Sequence, residues 1–221
     1  MSRRFIDRTE AGHELAAALA PRYAGQGDVI VLGLPRGGVP VAYEIANTLD
    51  LPLDVFVVRK LGLPGHEEFG IGAIASGGVR VVDEAVLRAY GVDSVTLERI
   101  TARERRELER RERLYRDDRP FPSLRDRTVI LVDDGLATGS TMRAAVAALQ
   151  VEAPRSIVIA VPVGARETCQ AMSQLVDDLV CLMTPEPFYA VGLWYENFEQ
   201  TDDQEVHELL ERAAARSTVR R

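Results

Sequence analysis

The stretch VILVDDGLATGST, Val129 to Thr141, decides the fold. A β-branched, apolar run ends in two adjacent carboxylates, Asp133 and Asp134. A loop of small and hydroxylated residues follows, and a helix-forming segment begins at Met142. The order strand, acidic pair, Gly/Thr loop, helix suits two jobs at once. The carboxylates can accept hydrogen bonds from a sugar diol. The loop can offer backbone N–H groups and hydroxyls to a phosphate at a helix N-terminus. A sugar phosphate needs both within a few ångströms. The competing readings are a generic turn after a buried strand and a Walker B strand. The second requires a G-x-x-x-x-G-K-[ST] loop, which the chain lacks, as it lacks a phosphatase-type D-x-D.

Outward from this stretch, apolar runs alternate with helical patterns. Asp7 with Glu10 reads as a capping box opening a helix to about Tyr23. Asp28–Leu34 is a buried-type strand, Val39–Leu49 a helix and Leu53–Arg59 a strand. Lys60–Gly70 reads as a Gly/Pro-rich loop, and Ile71–Ala75 with Val79–Val82 as a hairpin. Helices are expected at Asp83–Tyr90 and Ser94–Asp117. Strand Thr128–Val132, helix Gly139–Val151, strand Ser156–Val163, helix Ala165–Leu175 and strand Leu179–Met183 follow. A helix capped by Asp202 with Glu205 closes the chain. This alternation predicts an α/β fold, a mostly parallel twisted sheet with helices on both faces. Ligands of such sheets bind at the carboxyl ends of the strands, near the topological switch point. Three Gly-rich turns, Leu34–Gly38, Arg59–Gly70 and Asp133–Gly139, point to that one end.

With 221 residues, the chain is read as a single domain, long enough to bury a full core. A formal net charge of -7 provides no global basic field for nucleic acid. The two cysteines, Cys169 and Cys181, support neither a disulfide framework nor a zinc cluster, and read as small packing groups. The N-terminal MSRRFIDRTEAG lacks the apolar centre of a signal peptide, and no run approaches a membrane span. The expectation is a soluble protein of the reducing cytoplasm, with no membrane partner. Histidines 13 and 207 fall on helices and are expected at the surface.

VILVDDGLATGST resembles the phosphoribosyl pyrophosphate signature of type I phosphoribosyltransferases. The resemblance implies that Asp133 and Asp134 contact the ribose hydroxyls. It implies that Gly135, Ala137, Thr138, Gly139, Ser140 and Thr141 wrap the 5-phosphate, and that the donor is Mg²⁺-bound phosphoribosyl pyrophosphate. The metal would meet Asp133 and Asp134 only indirectly, through ribose or water. Leu34-Pro35-Arg36-Gly37-Gly38 can be a plain turn. It can also be an anion loop, since glycines let backbone N–H groups approach a ligand and a guanidinium suits pyrophosphate oxygens. The family carries a pyrophosphate loop after its first core strand, often with a strained or cis peptide, here at Pro35-Arg36 or Arg36-Gly37. That assigns Arg36, Gly37 and Gly38 to pyrophosphate, together with Arg59 and Lys60. The latter pair opens the segment where the family places a flexible loop that closes over the reacting centre and excludes water.

This loop departs from the basic loops of orotate enzymes, carrying His66, Glu67 and Glu68. Glu67 or Glu68 can be a base for the acceptor's proton or an idle surface acid; Glu68, with Lys60, Asp133 and Asp134, forms the candidate catalytic set. Hypoxanthine–guanine type enzymes place an aspartate three residues after the second acid. Here Ala137 stands there, as in adenine and orotate members. The segment Pro185–Phe198, PEPFYAVGLWYENF, is dense in aromatics in a chain that is only 6% aromatic. It can close the sheet edge or form a stacking wall for a planar base, with Phe188, Val191 and Trp194 as base-binding candidates. The Arg/Glu-rich run Glu98–Arg119, with Glu107–Arg111 and Glu109–Arg113 at i,i+4, reads as a solvated or subunit-contacting helix. Its interleaved acids argue against nucleic acid.

The expected layout is a core at about 28–184, a hood at about 185–221 with N-terminal help, and a long charged helix at 94–118. The expected function is transfer of 5-phosphoribosyl to a nitrogen acceptor, a nucleobase, with release of pyrophosphate. The partners implied are this donor, the small acceptor and a second copy in a homodimer. Two other readings stay open. One is a non-catalytic sensor of phosphoribosyl pyrophosphate, and the other a nucleotide or ribose-phosphate hydrolase using the same pocket.

Overall fold

The computed structural model describes residues 3–117 and 119–219, without the side chains of residues 67, 68 and 217–219. Its main sheet is parallel, built from β1 (Val29–Gly33), β2 (Leu53–Val55), β6 (Thr128–Val132), β7 (Ser156–Val163) and β8 (Asp178–Met183) in the order β2-β1-β6-β7-β8. β1 and β6 are buried along their whole length, as their unbroken apolar runs require of strands covered on both faces. Pleating sends successive residues to opposite faces. Leu32 and Leu131 meet Met142, Ala145 and Leu149 of α5 (Ser140–Val151). Val31 and Ile130 face the other way, onto Leu15 and Leu19 of α1 (Arg8–Tyr23) and Val41 and Ile45 of α2 (Gly38–Leu49). Each such aliphatic side chain contributes about 1.5–3 kcal/mol when fully buried.

The strand order positions the site. From β1 the chain turns outward to β2, whereas from β6 it turns the other way, to β7 and β8. The topological switch point therefore lies between β1 and β6. Their register pairs Gly33 with Val132, and Leu34 N donates to Val132 O at 2.9 Å. The loops after the two strands thus leave the sheet side by side.

A second sheet, antiparallel, is formed by β3 (Val58–Leu63), β4 (His66–Ala75) and β5 (Val79–Val82). This corrects the expectation of an irregular loop over Lys60–Gly70. The segment is a hairpin turning at Pro64-Gly65, with Gly65 at φ 78°. Leu61, Leu63 and Ile71 are buried against Leu108 and Tyr115 of α4 (Ser94–Arg116) and Val206 and Leu210 of α7 (Asp203–Val219). The single strand expected at Leu53–Arg59 divides at Phe56-Val57, where the chain passes from one sheet to the other. Arg116 bolts this crossing. It donates to Asp54 Oδ1 at 2.9 Å, Ser76 Oγ at 2.8 Å and Val55 O at 3.3 Å, and pairs with Glu112 at 2.9 Å. A guanidinium only 4% exposed tolerates burial because it is paired and hydrogen-bonded on this scale. α4 is therefore not simply solvated: one face is core, and Glu107 on the other binds Arg110 and Arg111, which lower its pKa to about 2.

α3 (Glu84–Ala89) and α6 (Arg166–Ser173) complete the helices. Asp7 caps α1 by accepting from Glu10 N at 2.9 Å, while the Glu10 carboxylate reaches back to Ile6 N. The segment around Val191–Trp194 joins the N-terminal strip, since Phe5 N donates to Trp194 O and Glu196 N to Phe5 O. Together they cover the carboxyl end of β6. Among the described residues no helix is long and apolar enough to cross a membrane.

Candidate functional site

The loop after β1 carries a cis peptide at Pro35–Arg36. Its glycines are set by close approach. A Cβ on Gly38 would lie 2.6 Å from Val132 O and 2.8 Å from Asp133 Cα. A Cβ on Gly37 would lie 2.0 Å from Asp134 Oδ2. The two loops therefore touch, one through backbone and one through a carboxylate. Gly139 takes φ 72° at the N-cap of α5, a conformation that costs a residue with a Cβ. Ser140 N, the first N–H of α5, donates to Thr138 Oγ1 at 3.4 Å, and Thr138 and Ser140 are both exposed. Thr168 of α6 donates to Ala137 O at 2.7 Å and holds the loop from behind.

The two acids are adjacent and poorly solvated. Asp133 Oδ1 accepts from Asp134 N at 2.9 Å. Burial raises the Asp133 pKa well above the usual carboxylate value, and the neighbouring Asp134 charge adds to it. Burial raises Asp134 too, opposed by a cation that sequence reasoning missed, Arg8. Arg8 Nε and Nη2 donate to Asp134 Oδ2 at 3.0 and 2.7 Å. A signal for Arg8 did exist: it is the first residue of α1, where the helix macrodipole disfavours a cation. The Tyr195 hydroxyl donates to Asp134 O at 2.6 Å, and burial with the Asp134 charge pushes its pKa up.

The cationic candidates separate. Lys60 Nζ donates to Ser140 Oγ at 3.2 Å, so it stands at the phosphate-type loop. Arg59, the preceding strand residue, faces the other way and binds Glu104 Oε2 of α4 at 3.0 and 2.6 Å. Of the two cations expected at pyrophosphate, Lys60 therefore stands beside Ser140 while Arg59 is engaged with Glu104, as the pleat sends consecutive strand residues to opposite faces. Arg36 lies 3.8 Å from Asp203 at the start of α7, and Asp203 also accepts from Tyr115 at 2.6 Å. Glu68 lies in β4, and its side chain, like that of Glu67, is outside the described residues. Phe188, Val191 and Trp194 are half-buried around Phe5, Val163 and Tyr195. Val191 presses on Gly135, where a Cβ would meet its methyl at 2.4 Å. Phe188 and Trp194 therefore serve at least in part as packing groups. Beside the loop, a cavity of about 750 Å³ opens between α5 and the second sheet, lined by Lys60, Thr138, Ser140, Arg143, Gly72 and Val81.

The sequence model of the phosphoribosyl transferase domain matches residues 7–186. The chain belongs to this family. Two Mycobacterium tuberculosis proteins, of strains H37Rv and CDC 1551, both provisionally named phosphoribosyl transferases, are 44% identical to it over 209 residues. The alignment covers 95% of this chain and 47% of each of them, so the chain spans about half the length of the curated relatives it matches. The crystal structure of TT1426 from Thermus thermophilus superposes with a TM-score of 0.85 at 44% identity, covering 95% of this chain and 98% of that one.

In a phosphoribosyl transferase the acidic pair invites a test of metal fit. Arg8 pairs with Asp134 and reaches Asp133 only through space, so the two acids keep a net negative charge when both are ionised. Hard oxygen donors with unbalanced charge suit Mg²⁺, which commonly takes one or two carboxylates and completes its shell with water and substrate phosphates. The donor set fits the ion.

Proposed function

We propose that this phosphoribosyl transferase moves 5-phosphoribosyl from Mg²⁺-bound phosphoribosyl pyrophosphate to a ring nitrogen of a nucleobase, releasing pyrophosphate. The observation that carries the reading is the meeting, at the switch point, of the Asp133–Asp134 pair, the α5 N-terminal loop and the Gly37–Gly38 turn. The three match the diol, the 5-phosphate and the pyrophosphate of one ligand.

Thr138, Gly139, Ser140 and Thr141 hold the 5-phosphate through backbone N–H groups and hydroxyls, with Ala137 and Gly135 shaping the loop. Asp133 and Asp134 accept from the ribose hydroxyls and, as anions, favour the positive charge that develops on the sugar. Arg36, Gly37 and Gly38, with Lys60 from the hairpin, hold the pyrophosphate. The bond from C1 of the ribose to the pyrophosphate oxygen breaks, and a bond from C1 to the acceptor nitrogen forms. Asp133 and Asp134 would hold Mg²⁺ indirectly, through water or ribose, and the bound ion would supply charge neutralisation for the departing diphosphate. The acceptor's proton leaves from nitrogen, and with Ala137 at the position of a possible base, Glu68 on the hairpin is the assigned acceptor of that proton. Phe188, Val191 and Trp194 form the wall beside the base. A homodimer, common in the family, and a cytoplasmic location accompany this reading.

Asp133→Asn with Asp134→Asn is expected to abolish calorimetric binding of Mg²⁺–phosphoribosyl pyrophosphate while the thermal transition persists. Unchanged affinity overturns the site. Pyrophosphate release that depends on an added nucleobase, found by screening bases with this donor, separates transfer from sensing and from hydrolysis.

A further inference from the structure

Arg8 is placed where a merely solvated arginine would not be. At the first turn of α1 it faces the positive end of the helix dipole, so its position is unfavourable unless an anion offsets it. That anion is Asp134, 126 residues away. Two guanidinium donors converge on the single oxygen Oδ2, at 3.0 and 2.7 Å, which leaves Oδ1 outside the pairing. A third donor, Nη1, binds Glu199 O at 2.7 Å, and the guanidinium lies 4.0 Å over the Phe198 ring. The Arg8 and Asp134 side chains are 12% and 15% exposed, so water screens the pair little. Asp134 is held from its other end as well, by the Tyr195 hydroxyl on its carbonyl. The strip Tyr195–Glu199 therefore grips one residue of the acidic pair twice, once directly and once through Arg8.

We infer that Arg8 is a positioning residue of the donor site, fixing the Asp134 carboxylate so that Oδ1 is presented to the ribose diol and tying that carboxylate to the strip 195–199. The inference rests on the assignment of Asp133 and Asp134 to ribose. A carboxylate held beforehand in one orientation loses little further freedom when it accepts from a diol. Arg8 acts on the diol alone, through Asp134, and not on phosphate or pyrophosphate, which the loops at Thr138–Thr141 and Arg36–Gly38 hold.

The test is calorimetric titration of the full chain with three probes: Mg²⁺–phosphoribosyl pyrophosphate, ribose 5-phosphate, and Mg²⁺–inorganic pyrophosphate. The proteins are wild type, Arg8→Gln, Arg8→Lys, and Glu14→Ala as a control on the same helix, where Glu14 pairs with Arg3. Arg8→Gln is expected to weaken both diol-bearing ligands at least tenfold and to leave pyrophosphate within twofold. Arg8→Lys, which keeps the charge but not the fork, falls between, and Glu14→Ala matches wild type. Equal weakening of all three probes overturns the inference, because it marks a general structural role; so does no weakening of any. If Arg8→Gln has no thermal transition, the ratio of affinities in Arg8→Lys decides by the same criterion. Wild-type failure to bind either diol-bearing probe removes the ribose assignment itself, whereas wild-type binding matched by both Arg8 variants removes only the role of Arg8.

Discussion

Gly37→Ala isolates the contact between the two site loops. Gly37 has φ -60° and ψ -29°, so its backbone accepts alanine without strain. The added Cβ, however, would lie 2.0 Å from Asp134 Oδ2 and 2.7 Å from its Cγ. That is roughly 1.5 Å short of ordinary van der Waals separation. The carboxylate must swing away, and Oδ2 is the atom that Arg8 holds at 2.7 and 3.0 Å. A shift of that size breaks both bonds. Hydrogen bonds to charged groups contribute about 1.5–3 kcal/mol, which corresponds to roughly 10–150-fold in affinity if Asp134 is lost to the ribose. Alanine offsets about 0.4–1 kcal/mol of the accompanying stability loss by restricting the unfolded chain. The net cost, about 1–2 kcal/mol, lowers Tm by about 2–8 °C at this chain length. The assay is titration with Mg²⁺–phosphoribosyl pyrophosphate beside thermal unfolding, with Gly27→Ala as control, since no described atom lies within 4 Å of a Cβ there. Donor affinity within twofold of wild type in Gly37→Ala would refute the assignment of Asp134 to the ligand and the contact logic together.

Arg59 and Lys60 should differ in kind: Lys60→Ala weakens the donor about tenfold with Tm nearly unchanged. Arg59→Ala leaves donor affinity within twofold and costs about 1–3 kcal/mol in chemical denaturation, because Glu104 Oε2 loses both Arg59 donors and only Arg103, on Oε1, is left on that carboxylate; the reverse pattern would place Arg59 at the pyrophosphate site. Asp133 makes a prediction for pH. Its pKa is raised in the folded state, so between the unfolded carboxylate value near 3.9 and the folded value the native state binds more protons, and stability falls as pH rises through that window. Asp133→Asn removes the unfavourable buried charge and should raise Tm at neutral pH, by about 2–4 °C per kcal/mol relieved, while flattening that pH dependence; a lower Tm at pH 7 contradicts the electrostatic account.

The parts of this molecule that could be read in the sequence are those whose cause is local. β1 and β6 are covered on both faces, so their apolar runs are unbroken, and α1 carries its own cap. The Asp133–Thr141 loop is legible because its acid pair, its left-handed Gly139 and its helix N-terminus are contiguous. The hairpin β3–β4 was hidden by Gly62, Pro64 and Gly65, which read as loop. What makes it a hairpin is burial of Leu61, Leu63 and Ile71 under α4 and α7, elements far along the chain. Once the segment is a strand, the pleat separates Arg59 from Lys60, a division no loop reading could contain. α4 misled for a related reason. Ile100, Leu108 and Tyr115 form a buried face inside a run of arginines and glutamates, and Arg116, the most deeply buried of those arginines, looks from its neighbours like one more solvated charge. Arg8 shows how such a residue can be found. A cation at the first position of a helix opposes the dipole, so its presence there asks for an anion elsewhere in the fold. In this chain that anion belongs to the acidic pair from which the whole reading began.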